Sequence, residues 1–276
     1  MTITPRSPST TSTTNTTYRI ATDTIPAVDV TVSEQGDGHP VLLLHGGGGP
    51  FTVSAFAGLL SDREPVRVLT PTHPGFGGRP QPDAVGSIVA LAELYVALLD
   101  ELDIRDVTVV GNSIGGWIAS EMALLHSPRI SSIVLVDAVG IEIPGHPVAD
   151  FFSLTFPELA ELSYYRPAEF LIDPTAFSPE QQALMTGNRA ALARYVGTSS
   201  MADPTLLARL GAITTPVLVV WGEADRIADA EYGRAYAKAI PTATFTLLEK
   251  TGHLPQLETP ADLLRPVWDF VTEHIV

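Results

Sequence analysis

A chain of 276 residues with 45% apolar side chains can bury one large α/β core and carry an inserted subdomain. Its formal net charge of −15 argues against nucleic acid and anionic membranes as partners, because the field repels polyphosphate. Cysteine is absent, which removes disulfides and thiolate chemistry, and no apolar run approaches the ~20 residues of a membrane span.

In chain order, residues 1–17 (MTITPRSPSTTSTTNTT) are mostly Thr and Ser with no apolar stretch of the signal-peptide kind. A disordered tail and a cytoplasmic location are expected from them. TIPAVDVTVSEQGDG alternates apolar and polar residues and closes in turn chemistry, as an edge strand or hairpin does. HPVLLLHGG is a continuous apolar run, the mark of a strand buried on both faces, and PVRVLTPTHPGFGG is a short strand entering a Gly/Pro loop. Ile88, Leu91, Leu94, Leu98, Leu99 and Leu102 stand at helical spacing. Next come the strand VTVV, a helix, and the strand ISSIVLVDAVG.

Residues 141–210 break this rhythm with prolines, aromatics and helical patterns such as SPEQQALMTGNRAALARYV, in which Ser178 suits a helix start. The spacing predicts a helical insertion after the sixth strand. TTPVLVVWGEAD and TATFTLLEKTGH are further strands, separated by the helix AEYGRAYAKAI and followed by the amphipathic helix PADLLRPVWDFVTEHI. Strands alternating with helices imply right-handed crossovers and a mostly parallel sheet. The expected organisation is a tail (1–17), a core (18–140 with 211–276) and a helical cap (141–210).

Chemistry concentrates at the C-terminal ends of the strands, where open α/β sheets bind ligands. VTVVGNSIGGW contains G-x-S-x-G, here Gly111, Ser113 and Gly115, between a strand and a helix. That is the pattern of a strained turn that lifts a serine Oγ above the sheet. Asp225 follows the strand in VLVVWGEAD and His253 follows the one in FTLLEKTGH. A serine hydroxyl needs an imidazole base, and the imidazole needs a carboxylate to fix its tautomer. The order Ser, Asp, His is the one this elbow calls for. The competing readings are a helix N-cap for Asp225 and a loop support for His253. Asp137, ending ISSIVLVDAVG, is a second candidate acid, but Asp225 sits in the short loop before a helix and is preferred. The glycines of LHGGGGP let backbone N–H groups approach a substrate oxygen, and Ile114, after the serine, offers another. His45 and His73 read as loop supports. No Gly-Lys-Ser/Thr and no G-x-G-x-x-G opening a helix is present, so neither a phosphate loop nor a dinucleotide site is read.

Taken together, LHGGGG, PTHPGFGG, GNSIGGW, WGEADRI and TGHLPQLETP resemble the ordered landmarks of the α/β-hydrolase superfamily over about residues 40–260. The resemblance implies an eight-stranded, mostly parallel sheet flanked by helices, its second strand antiparallel, with a cap over the site. It implies Ser113 as nucleophile, His253 as base, Asp225 as acid, and Gly47 with Ile114 as oxyanion donors. HGGGGP, GNSIGGW and GNRAALARY are similar to the meta-cleavage-product hydrolases, which cut C–C bonds in vinylogous diketones. Asn112 and Arg189 match polar positions of that group, and Gly46, Asn112, Arg189 and Leu254 are candidate substrate contacts. Leu254 stands where that group carries Trp, and FTVSAF shows no clear counterpart of its Asn.

The expectation is a serine hydrolase of a small, largely apolar ester or lactone, without cofactor or metal and with a small-molecule substrate. C–C hydrolysis and perhydrolase activity are alternatives within the fold, and a non-catalytic receptor is the alternative from another class. A homodimer is left open.

Overall fold

Helices cover both faces of one sheet, as strands that are apolar on both sides require. The structure is a computed structural model that describes residues 12–171, 177–197 and 201–275. The first half of the chain forms β1 (Thr14–Ile20), β2 (Val28–Gly36), β3 (His39–Leu44), α1 (Phe51–Arg63), β4 (Val66–Pro71) and α2 (Ile88–Glu101). The elbow joins β5 (Val107–Asn112) to α3 (Ile114–Leu124), and β6 (Ile130–Val136) follows. Between β6 and the next strand lie α4 (Phe156–Ser163), α5 (Pro167–Phe170), α6 (Pro179–Val196) and α7 (Leu206–Arg209). The chain then runs through β7 (Val217–Gly222), α8 (Ala230–Ala239), β8 (Ala243–Leu248), α9 (Pro255–Glu258) and α10 (Pro260–Glu273).

The sheet has eight strands in the order β1-β2-β4-β3-β5-β6-β7-β8. β2 is the reversed strand, antiparallel to β1 and β4, and the pairs from β4 to β8 are parallel. Alternation along the central strands sorts their side chains into two cores. Leu42, Leu44, Val109, Ile133, Leu135, Val219 and Trp221 join the core under α2, α3 and α8. Val41, Leu43, Val110, Val134, Val136, Leu218 and Val220 join the one under α1 and α10.

Two sequence expectations change. Of the expected tail, residues 1–11 lie outside the described residues, but Thr14–Thr17 pair with β2 as part of β1. An edge strand needs its backbone ladder more than an apolar face, and β-branched threonine suits it; in β1 Ile20 alone is buried. The helix α1 was not foreseen either. Its N-cap, Pro50, makes no side-chain hydrogen bond, so no start signal marks it, although Val53, Phe56, Ala57 and Leu60 are buried at helical spacing. By contrast Ser178 caps α6 through a reciprocal pair: its Oγ accepts the Gln181 N–H at 3.3 Å and Gln181 Oε1 accepts the Ser178 N–H at 2.9 Å.

His45 and His73 lie fully buried and stacked, with ring centroids 3.7 Å apart, at the C-terminal ends of β3 and β4. Each is satisfied as a neutral ring. His45 Nε2 accepts the His73 N–H at 3.2 Å and Nδ1 donates to Gly46 O at 2.8 Å; His73 Nε2 donates to His45 O at 2.9 Å, leaving Nδ1 to accept from the Tyr95 hydroxyl at 2.5 Å. Burial lowers the His73 imidazole to about 4 from its usual 6.5. Burial first, then the neighbouring His73, lowers His45 well below its ordinary value. The unfolded chain therefore takes up protons below pH 6.5 that the folded chain refuses until near pH 4. Stability should fall as pH drops through that window, by about 3 kcal/mol from His73 alone. Urea unfolding at pH 7 and pH 4.5 checks this: His73→Asn should lose distinctly less stability over the interval than the native chain. Equal losses would contradict the account.

Candidate active site

The loops after β5, β7 and β8 converge. Because β5 ends at Asn112 and α3 begins at Ile114, Ser113 alone makes the turn, at φ 56° and ψ −118°. Such a conformation in a non-glycine residue costs about 1–3 kcal/mol. It is held by the backbone: the Ser113 N–H donates to Val136 O at 3.0 Å, and its carbonyl accepts the N–H groups of Gly116, Trp117 and Val139. The neighbouring glycines are a packing requirement. A Cβ on Gly111 would lie 2.1 Å from Gly115 O, and one on Gly115 would lie 2.4 Å from Leu44 O.

His253 is anchored by its N–H to Ser163 O at 2.7 Å. Its ring spans the other two side chains, with Nε2 3.0 Å from Ser113 Oγ and Nδ1 2.8 Å from Asp225 Oδ2. All three are buried. Asp225 Oδ1 accepts the N–H groups of Ile227 and Ala228 at 2.8 and 3.1 Å. The N-cap of α8 is Asp229, not Asp225. The second candidate acid, Asp137, makes no hydrogen bond to the imidazole; its Oδ1 accepts the Gly222 N–H at 2.8 Å. Ser113, His253 and Asp225 are thus brought together in the order a proton relay needs.

A cavity of about 210 Å³ opens above Ser113. Gly46 and Gly47 form one wall, in a turn closed by Gly49 N–H to Gly46 O at 3.1 Å. The Ile114 N–H, first in α3, has no acceptor within the helix, and it sits at the positive end of the helix dipole. The opposite walls are apolar side chains of the cap, among them Phe151, Phe156, Tyr164, Phe170 and Leu192, together with Leu254 beside His253.

Two candidate substrate contacts prove to be committed elsewhere. Asn112 borders the cavity, but its Nδ2 donates to Val136 O and His253 O at 3.3 and 3.2 Å, while Oδ1 accepts from Gln256 Nε2 at 3.1 Å. It braces the His253 loop. Arg189 is half-buried, not solvated; its Nη2 donates to the carbonyls of Phe151, Phe152 and Leu154 at 2.9, 2.7 and 3.1 Å. Its guanidinium carbon lies 5.0 Å from the Phe151 ring centroid, a cation–π distance.

The residues that seat the cap were missed from sequence. Asn188 on α6 donates to Gly48 O at 3.0 Å and accepts the Gly77 N–H at 2.9 Å, tying the cap to both glycine loops. Glu258 accepts the N–H groups of Gly252, Tyr165 and Arg166 at 2.7, 3.1 and 2.9 Å, joining the His253 loop to the cap. Both polar side chains reach the other segment through backbone groups about a hundred residues away in the chain, and no spacing rule announces such partners.

Known proteins share this fold. A model of the alpha/beta hydrolase family matches residues 41–265. The 2-hydroxymuconate semialdehyde hydrolase of Pseudomonas putida is 28% identical over 257 residues, covering 87% of this chain and 89% of that protein. Among solved structures, an esterase from Thermogutta terrifontis aligns with a TM-score of 0.74 at 23% identity, over 95% of this chain and 100% of the other. A variant of the meta-cleavage product hydrolase CumD from Pseudomonas fluorescens IP01 aligns at 0.72 and 23% identity, over 89% of this chain and 95% of the other. The family match spans most of the sheet and the elbow serine with its two partners, and on that ground the chain belongs to the alpha/beta hydrolase family.

Proposed function

We propose that this hydrolase cleaves a small, largely apolar carboxylic ester or lactone through an acyl-enzyme on Ser113. The observation that carries the reading is the continuous line from Asp225 through His253 to Ser113 Oγ at the floor of an apolar cavity. With Nδ1–H donated to Asp225, His253 Nε2 is free of a proton and accepts that of Ser113 as Oγ attacks the carbonyl. The tetrahedral oxyanion would lie against the N–H groups of Gly47 and Ile114. His253 then returns the proton to the leaving alcohol. Water, deprotonated by the same ring, releases the acid and restores Ser113.

Substrate neutrality is supported by Arg189, the one arginine or lysine lining the cavity among the described residues. Its Nη2 and its ring contacts are already engaged, so it is poorly placed to clamp a carboxylate. A second reading, hydrolysis of a C–C bond, has support from the named activity of the Pseudomonas putida relative.

A series of p-nitrophenyl esters assayed beside a meta-cleavage dienoate tests the choice. Each added acyl CH₂ should raise kcat/KM about fourfold until the cavity is full, from ~0.8 kcal/mol per buried CH₂. Arg189→Ala should raise KM several-fold for esters and dienoate alike, since it unpins the 151–154 segment. A dienoate that is the better substrate, with a KM rise confined to it in Arg189→Ala, would reject the ester reading for the C–C one.

A further inference from the structure

Asp137 ends β6 beside Asp225, and the reaction proposed above gives it no task. Its side chain is fully buried. Oδ1 is occupied by the Gly222 N–H, whereas Oδ2 meets no donor. One ligand atom from each of Asp137, Asp225 and His253 lies within 4.8 Å of the others. The backbone at Asp137 is left-handed, φ 44°, a conformation few residues other than Gly, Asn and Asp tolerate.

Two ionised carboxylates are acceptors only, so in contact without a proton they repel, and burial sharpens the repulsion. A cation between them has little to bind. Asp225 Oδ1 is taken by two amides and Oδ2 by His253, and Gly222 holds Asp137 Oδ1. Among the described residues the titratable groups facing Asp137 are Asp225 and His253, with no lysine or arginine beside them. A single shared proton satisfies the pair. Asp225, with three donors, is the better anion; Asp137, with one, is the better acid.

We propose that Asp137 is a positioning residue that stays a neutral carboxylic acid and donates its Oδ2–H to Asp225, holding that carboxylate against the His253 ring. Burial first, and the Asp225 charge second, push the Asp137 carboxyl well above the usual carboxylate range, in keeping with this state. The arrangement leaves one negative charge, not two, beside the imidazole and fixes the rotamer of its partner. The inference rests on the serine-hydrolase reading of Ser113, Asp225 and His253.

The full chain and two variants test it. Asp137→Asn and Asp137→Gly both suit a positive φ, and Asn still offers an N–H to Asp225 and a carbonyl to Gly222. Infrared difference spectra at pH 7 should show the C=O stretch of a protonated carboxylic acid in the native chain that is missing from Asp137→Asn. The titration midpoint of His253 Cε1–H, followed by NMR, should differ by less than about 0.3 between native and Asp137→Asn, because no charge is removed. In ester turnover, Asp137→Gly should lose about tenfold in kcat at unchanged KM, and Asp137→Asn should recover most of it. Absence of the acid band, or a fall in the midpoint by about a unit or more in Asp137→Asn, would show a charged Asp137 and overturn the proposal. So would an unchanged kcat in a folded Asp137→Gly. Should the native chain turn over no ester, the ester reading fails, while the infrared and NMR measurements still judge the proton.

Discussion

Ser113→Ala is expected to lower kcat by roughly 10⁴-fold while the protein keeps its fold, because binding and the oxyanion contacts survive and the nucleophile does not. The turn at Ser113 is made by its backbone, through the bonds to Val136, Gly116, Trp117 and Val139, none of which involves Oγ. Its Oγ bonds the His253 ring, so the variant removes that contact alone. Matching melting curves together with p-nitrophenyl ester kinetics check the result. Retention of most of the activity in a rigorously purified variant would remove Ser113 from the chemistry.

Asp225→Asn should approach the same loss, up to ~10⁴-fold in kcat, by a different route. The Ile227 and Ala228 amides would hold the carboxamide oxygen in the place of Oδ1, which turns the NH₂ group toward His253 Nδ1. Nδ1 must then accept, so the proton moves to Nε2, which points at Ser113 Oγ and can no longer take its proton. Asp137→Asn should cost far less, since Asp137 makes no hydrogen bond to the ring. Parallel kinetics of the two variants decide between the acids, and the reverse ranking would move that role to the end of β6.

Much of this was readable along the chain because it is local. A strand buried on both faces is read from a continuous apolar run, as in the buried β7, and a serine turned out of a strand needs glycines at Gly111 and Gly115, where the backbone leaves no room for a Cβ. Ser113 follows β5 directly, Asp225 and His253 lie in the short loops after β7 and β8, and a parallel sheet brings such ends to one edge. Ser178 and Gln181 announce the start of α6 for the same reason: their bonds close within one turn.

Contacts between distant segments left no such trace. The polar run Thr14–Thr17 becomes a strand only because β2 supplies its hydrogen-bond partners. Asn112 and Arg189 have side chains suited to gripping a substrate, but backbone carbonyls around Val136 and Phe151 reach them first. Asn188 and Glu258 join cap to core through amides and carbonyls whose residue type is irrelevant to the bond. Asp137 and Asp225 come from different strands, and only their burial side by side makes one proton a problem for both. Residue type and spacing determine which groups can do chemistry, because those limits act within a few residues. Which of them stay free for it is decided by folding, because a buried polar group must take whatever partner the packing brings within reach.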